Sequence, residues 1–416
     1  MKKLSLSQKM VLAIVLGSLL GITTEMRIAP YLAPLGKIFI NLLKMVIVPL
    51  VISSITLGVA QIADLKQFGR LGTKVALFYF VGTIISACVA VAAGLIIQPG
   101  AGFVAAAAGK VKAAAPPPMA DVIVAFVPSN IVQAMANMDM NALIFFSIML
   151  GISLILIGDA KEPVVEVLKS LNEAMIKMTG ICIQFAPIGV FALMANTTGK
   201  YGLTILKPLA KFFFTEYLAM AIVMFGLYGF IAHFIAKVNF IEYLRRIKDV
   251  MIMAVSTVSS AATLPLELEV ATSKLGIPKH LAGFSLPLGA TMNQHGAAIN
   301  ITICVLFSAQ AFGLELGAGQ ILTIAFLAII MSTGTSGVPS AGSVFTLMIL
   351  DKFGLPSEAF AMILSVYVLV DMGSTLLNIV GDLICVNAVA ESEGIQMREV
   401  WDNPVPAPDS STSGGV

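Results

Sequence analysis

The run YVLVDMGSTLLNIVGDLICVN places Tyr367, Asp371, Ser374, Thr375, Asn378 and Asp382 at offsets −4, 0, +3, +4, +7 and +11 from the first aspartate. At 100° per residue they share one helical stripe about 100° wide. Two carboxylates, three hydroxyls and an amide on one face of an apolar helix mark a functional site, because an unpaired charge in hydrocarbon is costly. No Lys or Arg lies nearby in sequence, so the counter-charge is expected from outside, as an ammonium group or a cation. A second polar island, GATMNQHGAAIN (Gly289 to Asn300), sets His295 inside another apolar stretch. Three roles compete for it: a proton carrier, a cation site, or an imidazole satisfied by its neighbours.

The stripe divides by position. Asp371, with Ser374 and Thr375, suits a small polar ligand. Asp382 lies two to three turns further along, beside Asn378; carboxylate, amide and backbone oxygens together are hard-cation chemistry. An unwound GATMN backbone adds carbonyls to the same ion.

Two apolar segments, about 244–275 and 317–350, are broken in the middle by similar runs: STVSSAATLP (Ser256 to Pro265) and STGTSGVPSAG (Ser332 to Gly342). Non-helical backbone at membrane depth is tolerated only where protein or a water-filled cavity covers it. Matched breaks point to the binding site of a transporter built from inverted repeats. The plainer alternative, a pair of Gly/Pro kinks, does not need so many hydroxyls. Half-helix N-termini at the two tips suit a carboxylate. An anion held by the tips and an amine held by Asp371 describe a zwitterion, so an amino acid is the expected substrate.

These elements need a membrane. The 416 residues are 58% hydrophobic and 12% charged, with a mean hydropathy of +0.96, whereas soluble domains carry about 25% charged residues. Spans are expected at roughly 8–28, 34–62, 72–98, 120–158 (broken), 163–196, 205–236, 280–312 and 355–390. Met10 to Ile22 runs on into the body of the chain and reads as a first span, not a cleaved signal. Lys and Arg concentrate in the loops on the side of the N-terminus, which makes that side the cytoplasm and puts both termini there. This holds only if each broken segment enters and returns on one side. Residues 99–118 read as an outer loop and 393–416 as a disordered cytoplasmic tail. A net charge of +2 gives no reason to expect nucleic acid. Cys88, Cys182, Cys304 and Cys385 have no CxxC spacing and read as small core residues, so no transition-metal site is expected. Gly334-Thr335-Ser336-Gly337 fits the GxSG nucleophile motif of intramembrane proteases, with His295 as base. That enzyme reading leaves the polar stripe unexplained, as does a pure channel, and no enzyme is expected.

Several runs together resemble the dicarboxylate/amino acid:cation symporters, the glutamate transporter family. They are FAPIGVFALMANTTG (Phe185 to Gly199), SSAATLP (Ser259 to Pro265), LPLGATMN (Leu286 to Asn293), GTSGVPSAG (Gly334 to Gly342) and DMGSTLLNIVGD (Asp371 to Asp382). The resemblance covers about residues 6 to 392. It implies an all-α integral membrane protein of the inner membrane: eight transmembrane helices, two opposed re-entrant hairpins, a homotrimer, and a transport domain moving like an elevator against a scaffold. Residues 1–70 would open the scaffold, and 71–119 would hold the third helix and outer loop. Residues 120–236 would complete the scaffold, including 163–200. Residues 237–392 would form the transport core: inner hairpin 244–275, seventh helix 280–312, outer hairpin 317–350 and eighth helix 355–390.

Carried over residue by residue, Ser259, Ser260 and the backbone of Val338 and Gly342 would hold the substrate carboxylate. Asp371, Thr375 and Asn378 would hold its amino group and carboxylate. One sodium site would take carbonyls of Gly289, Asn293 and Asn378 with the Asp382 carboxylate. Another would take Thr291, Ser332, Thr333 and Thr335.

Departures from the family pattern matter as much. Where acidic-substrate members carry an arginine, this chain has Ser374; where they carry a threonine, Ala297; and where they carry a second arginine at the inner tip, Val258. An acidic side chain would find no cation and would face Asp371, so a small neutral amino acid is expected, with an acidic amino acid or dicarboxylate as the alternative. His295 stands where the family has the aspartate of a third sodium site, whose other members map to Tyr79, Gly82, Thr83 and Asn293. Gly82 also lacks that site's hydroxyl. Reduced or absent sodium coupling is therefore expected, with Na+ or H+ as the coupling ion. Tyr367 and His295 are expected to hydrogen-bond as an ion substitute. Glu267 and Glu269 are further proton candidates, although exposure to the inner aqueous side is the stronger expectation.

Overall fold

The computed structural model describes residues 6–24, 27–67, 69–102, 127–137, 140–333, 335, 341–355 and 357–395. Most of the expected outer loop and tail, and Val338, lie outside them. Among the described residues every regular element is a helix. In chain order these are α1 (Leu6–Thr24), α2 (Ala29–Gln67), α3 (Gly69–Ile97), α4 (Ile131–Ala136), α5 (Met140–Leu156), α6 (Glu162–Gln184), α7 (Ala186–Tyr201) and α8 (Leu206–Ala221). A π-helical segment, Ile222–Tyr228, leads into α9 (Gly229–Phe234) and α10 (Phe240–Arg246). Then come α11 (Lys248–Thr257), α12 (Ser260–Ser273), α13 (Lys279–Met292), α14 (His295–Ala311), α15 (Ala318–Thr333), α16 (Ala341–Lys352) and α17 (Ser357–Ser392).

Three stretches of described helix are long and apolar enough to cross a membrane: Gly69–Ile97, Lys207–Phe234 and Val366–Ser392. A fourth would be the pair Gly158–Cys182 and Ala186–Gly199, bent by 52°, so the uninterrupted span expected at 163–196 is a bent one. Apolar side chains such as Leu19, Leu77, Phe80, Phe214, Phe225 and Leu322 are exposed. Hydroxyls, amides and acids such as Thr83, Asn293, Glu216 and Asp382 are buried. Apolar outside and polar inside suits lipid as the surrounding solvent.

Two packed groups result. Helices α1, α2, α5, α6 and α7 pack on one another, while α3, α8 and α11 to α17 form the second group around α14 and α17. Residues 205–236, expected among the scaffold helices, put α8 against α3, α14 and α17. Hydropathy locates a span but does not say which neighbours it meets.

The breaks have local causes. Helix α11 ends at Val258, whose φ of 52° is left-handed, a costly conformation for a β-branched residue. Ser259 is extended and caps α12, accepting from the Ala262 N–H at 3.3 Å. Helices α13 and α14 are separated by Asn293 and Gln294, with ψ of 84° and 46°. At one end of the molecule Glu393 pairs with Lys74 (2.6 Å) and Arg70, and Glu391 pairs with Lys237 at 3.0 Å. These pairs tie the ends of α3, α9 and α17 together. Hydrogen bonds from Lys74 and Arg70 hold the Glu393 carboxyl below its ordinary range. One cysteine departs from expectation: Cys88 is exposed, while the other three are buried.

Candidate substrate and cation site

The stripe on α17 runs into the interior. Asp371 is half-buried, and Ser374, Thr375, Asn378 and Asp382 are buried. Asn378 binds the helix break at three points. Its Oδ1 accepts from the Gly296 N–H (2.8 Å), its Nδ2 donates to Gln294 Oε1 (2.9 Å), and its carbonyl accepts from Asn293 Nδ2 (2.9 Å). Its side chain is thus committed to holding the non-helical backbone against α17. The buried residues Ser259 and Ser260 open α12, Ala297 lies in the first turn of α14, and Gly342 lies in the first turn of α16. Both α12 and α16 pack against α17.

Asp382 is fully buried, and neither carboxylate oxygen has a hydrogen-bond partner. The neighbouring Asn293 amide gives one of its two hydrogens to the Asn378 carbonyl. At Gly289 a Cβ would collide with Asp382 Oδ1 and lie 2.6 Å from the Tyr79 hydroxyl, so only glycine lets the carboxylate approach this backbone. An orphaned buried carboxylate costs several kcal/mol unless a cation or proton joins it. Carboxylate, backbone and amide oxygens fit a hard monovalent cation.

The second expected sodium set also holds hydroxyls in usable poses. Thr291, Ser332, Thr333 and Thr335 donate to carbonyls of their own turns, at 2.9, 2.9, 2.6 and 2.8 Å. A hydroxyl that donates this way keeps lone pairs for a cation. Thr291 and Thr333 line one cavity of about 260 Å³ with Tyr79, Thr83, Ser54 and Asn172, between the two helix groups.

His295 is fully buried, and its partners differ from those expected. Nδ1 lies 2.6 Å from the Tyr228 hydroxyl and Nε2 lies 3.1 Å from the Tyr79 carbonyl. A carbonyl only accepts, so Nε2 carries the hydrogen and Nδ1 accepts from Tyr228. Both nitrogens of a neutral imidazole are satisfied. The expected bond to Tyr367 is not made: that hydroxyl points at Gly342, where a Cβ would overlap it. Tyr228 closes the π-helical segment, a type of irregularity that often re-aims a side chain at a functional site.

Positions 82 and 295 are sterically linked. A Cβ at Gly82 would overlap the His295 ring. The ring therefore fills the room left by the missing side chain and engages the Tyr79 carbonyl that a third sodium site would use. These residues do not fit a third sodium ion. Gly82→Thr alone is expected to overpack the site and cost about 1–3 kcal/mol, and Gly82→Thr with His295→Asp should recover most of it. Thermal unfolding in detergent measures both; an undisturbed single variant would mean that the ring moves aside freely.

The expectation that Glu267 faces water is corrected. Glu269 is exposed, but Glu267 is fully buried, and neither of its carboxylate oxygens has a partner. His295 also has no free nitrogen for a serine, and Ser336 lies outside the described residues.

The sequence profile of the sodium:dicarboxylate symporter family matches residues 6–392. The chain belongs to this family. Among the symporters it resembles is the proton/sodium-glutamate symport protein of Bacillus caldotenax, 32% identical over 405 residues, covering 95% of this chain and 96% of that one. The proton/glutamate-aspartate symporter of Escherichia coli (strain K12) is 34% identical over 399 residues, covering 92% and 91%. The C4-dicarboxylate transport protein of Bacillus subtilis (strain 168) is 30% identical over 404 residues, covering 94% of each. Among symporters of this kind, protons and sodium are the named coupling cations.

Proposed function

We propose that this chain is a cation-coupled secondary transporter of a carboxylate-bearing substrate, with an acidic amino acid or a dicarboxylate as that substrate. The observation that carries the coupling is the orphaned Asp382 against the Gly289 backbone. Acidic substrates have the support of the relatives, whose names give glutamate, aspartate and C4-dicarboxylates. On this point the comparisons favour the alternative over the small neutral amino acid expected from the pocket residues. Asp382 with its neighbouring oxygens receives the cation, and the N-termini of α12 and α16 with Thr375 receive the carboxylate. The second packed group, with α8 included, is the moving unit of an elevator. A trimer in the inner membrane, with both termini cytoplasmic, completes the reading.

One observation favours a second reading, a small neutral amino acid. Ser374 takes the place of an arginine, and none of the described arginines (Arg27, Arg70, Arg245 and Arg246) is buried. Uptake into proteoliposomes decides between them, using labelled L-glutamate, L-aspartate, succinate, L-alanine and L-serine with sodium and pH gradients imposed separately. The proposal expects glutamate, aspartate or succinate to exceed alanine by at least about tenfold, a difference of about 1.4 kcal/mol in favour of the second carboxylate. Preference for alanine or serine would establish the second reading, and equal flux with and without a cation gradient would remove the coupling.

A further inference from the structure

Glu216 lies in the middle of the apolar run FFFTEYLAM on α8 and is fully buried. Its Oε2 has no partner, and its Oε1 meets only the Cys304 thiol, at 4.0 Å. That thiol is already closer to Asn300 Oδ1, at 2.9 Å, and the Asn300 Nδ2 is itself unpartnered. The groups facing Glu216 come from several elements. They are Cys304 on α14, with Asn300 of α14 and Thr346 of α16 beside that thiol, Tyr367 on α17, and Tyr217 on its own helix. Tyr217 is engaged with the Leu369 carbonyl (2.7 Å), and Lys211, one turn before Glu216, turns to the Gln98 carbonyl (3.0 Å) at the surface. None of the groups facing the acid is a cation. Among the described residues, polar groups on α14, α16 and α17 therefore lie around an acid that no cation neutralises.

An unpaired carboxylate in such a place costs several kcal/mol, and an intramembrane acid is a functional site by default. The neutral form removes that cost by carrying a proton. Tyr367 lies within electrostatic reach of both Glu216 and Asp371, and its hydroxyl points at Gly342 in the first turn of α16. Asp371 stands on the substrate stripe. Tyr367 is thus the side chain that relates the acid to both Asp371 and the start of α16.

We propose that Glu216 is the coupling-proton site of this transporter, loaded in the state described and linked to the substrate site through Tyr367. This rests on the reading of the chain as a cation-coupled symporter. The proton enters as H+ and converts the carboxylate to the acid; the reverse step on the other side of the membrane releases it.

The test uses the full chain in proteoliposomes and labelled L-glutamate, or labelled L-alanine if the panel returns it as the better substrate. At one proton per substrate, one unit of inward pH gradient drives about tenfold accumulation. Glu216→Gln, fixed in the neutral form, should lose that accumulation, while counterflow against preloaded substrate, which needs no net proton movement, continues. Accumulation by Glu216→Gln equal to wild type would overturn the proposal. So would a wild type driven by sodium but indifferent to the pH gradient, which leaves the symporter reading standing. A wild type that transports under no gradient would overturn the symporter reading itself. If Glu216→Gln is lost altogether, the infrared band of a protonated carboxyl decides: it should be present at neutral pH and shifted in Glu216→Asp. Its absence from the wild type would overturn the assignment.

Discussion

Asp382→Asn is expected to cut sodium-driven uptake by at least about 30-fold, and to remove its dependence on sodium concentration. The carboxylate is fully buried with both oxygens orphaned. Losing one member of a desolvated charge pair costs about 2–5 kcal/mol or more, and 2 kcal/mol is already about 30-fold. Asparagine keeps the size and polarity but has no net charge to hold a cation. The same variant should gain thermal stability in cation-free detergent, because the uncompensated charge is gone. Steady uptake with unchanged sodium dependence would place the sodium elsewhere and leave the burial of Asp382 without a function.

The second large effect concerns Asp371 and separates substrate classes. Asp371→Asn should depress amino acid uptake by a comparable factor, because the paired ammonium loses its counter-charge. Uptake of a C4-dicarboxylate, which has no ammonium group, should hold or rise, since a carboxylate facing an anion is removed. Parallel uptake of labelled L-glutamate and succinate by wild type and variant reads this directly. Equal loss of both would mean that Asp371 acts on the pocket's architecture and not on an amine.

The sequence carried much of this site because its periodicity was intact. Six residues at helical spacing put Asp371 and Asp382 on one side of α17, and the break at Asn293 could be read from GATMNQ. What lay beyond reach were contacts across the chain. Tyr228 meets His295 over a separation of 67 residues, and only the π-helical segment before it sets its direction. No periodicity announces such an irregularity, so the sequence points to Tyr367, the tyrosine on the polar stripe, and the structure has Tyr228 in its place. Two other signals are legible in the sequence. Glu267 and Glu269 are two residues apart, about 200° around a helix, so when one faces water the other faces inward. Glu216 stands alone among phenylalanines, which sets it apart from every acid in a loop.

The overlap between position 82 and the His295 ring also bears on descent. If the chain descends from a relative with threonine at 82 and aspartate at 295, the overlap favours one order of the two changes over the other. Histidine beside threonine would have no room, whereas glycine beside aspartate leaves only a small void. Glycine first and histidine second is the order that avoids the overlap. The return path is barred in the same way: threonine cannot re-enter until the imidazole has gone. A loss of one ion site, once sealed by that ring, becomes hard to reverse by single substitutions, and that ratchet would hold a lineage to fewer coupled ions.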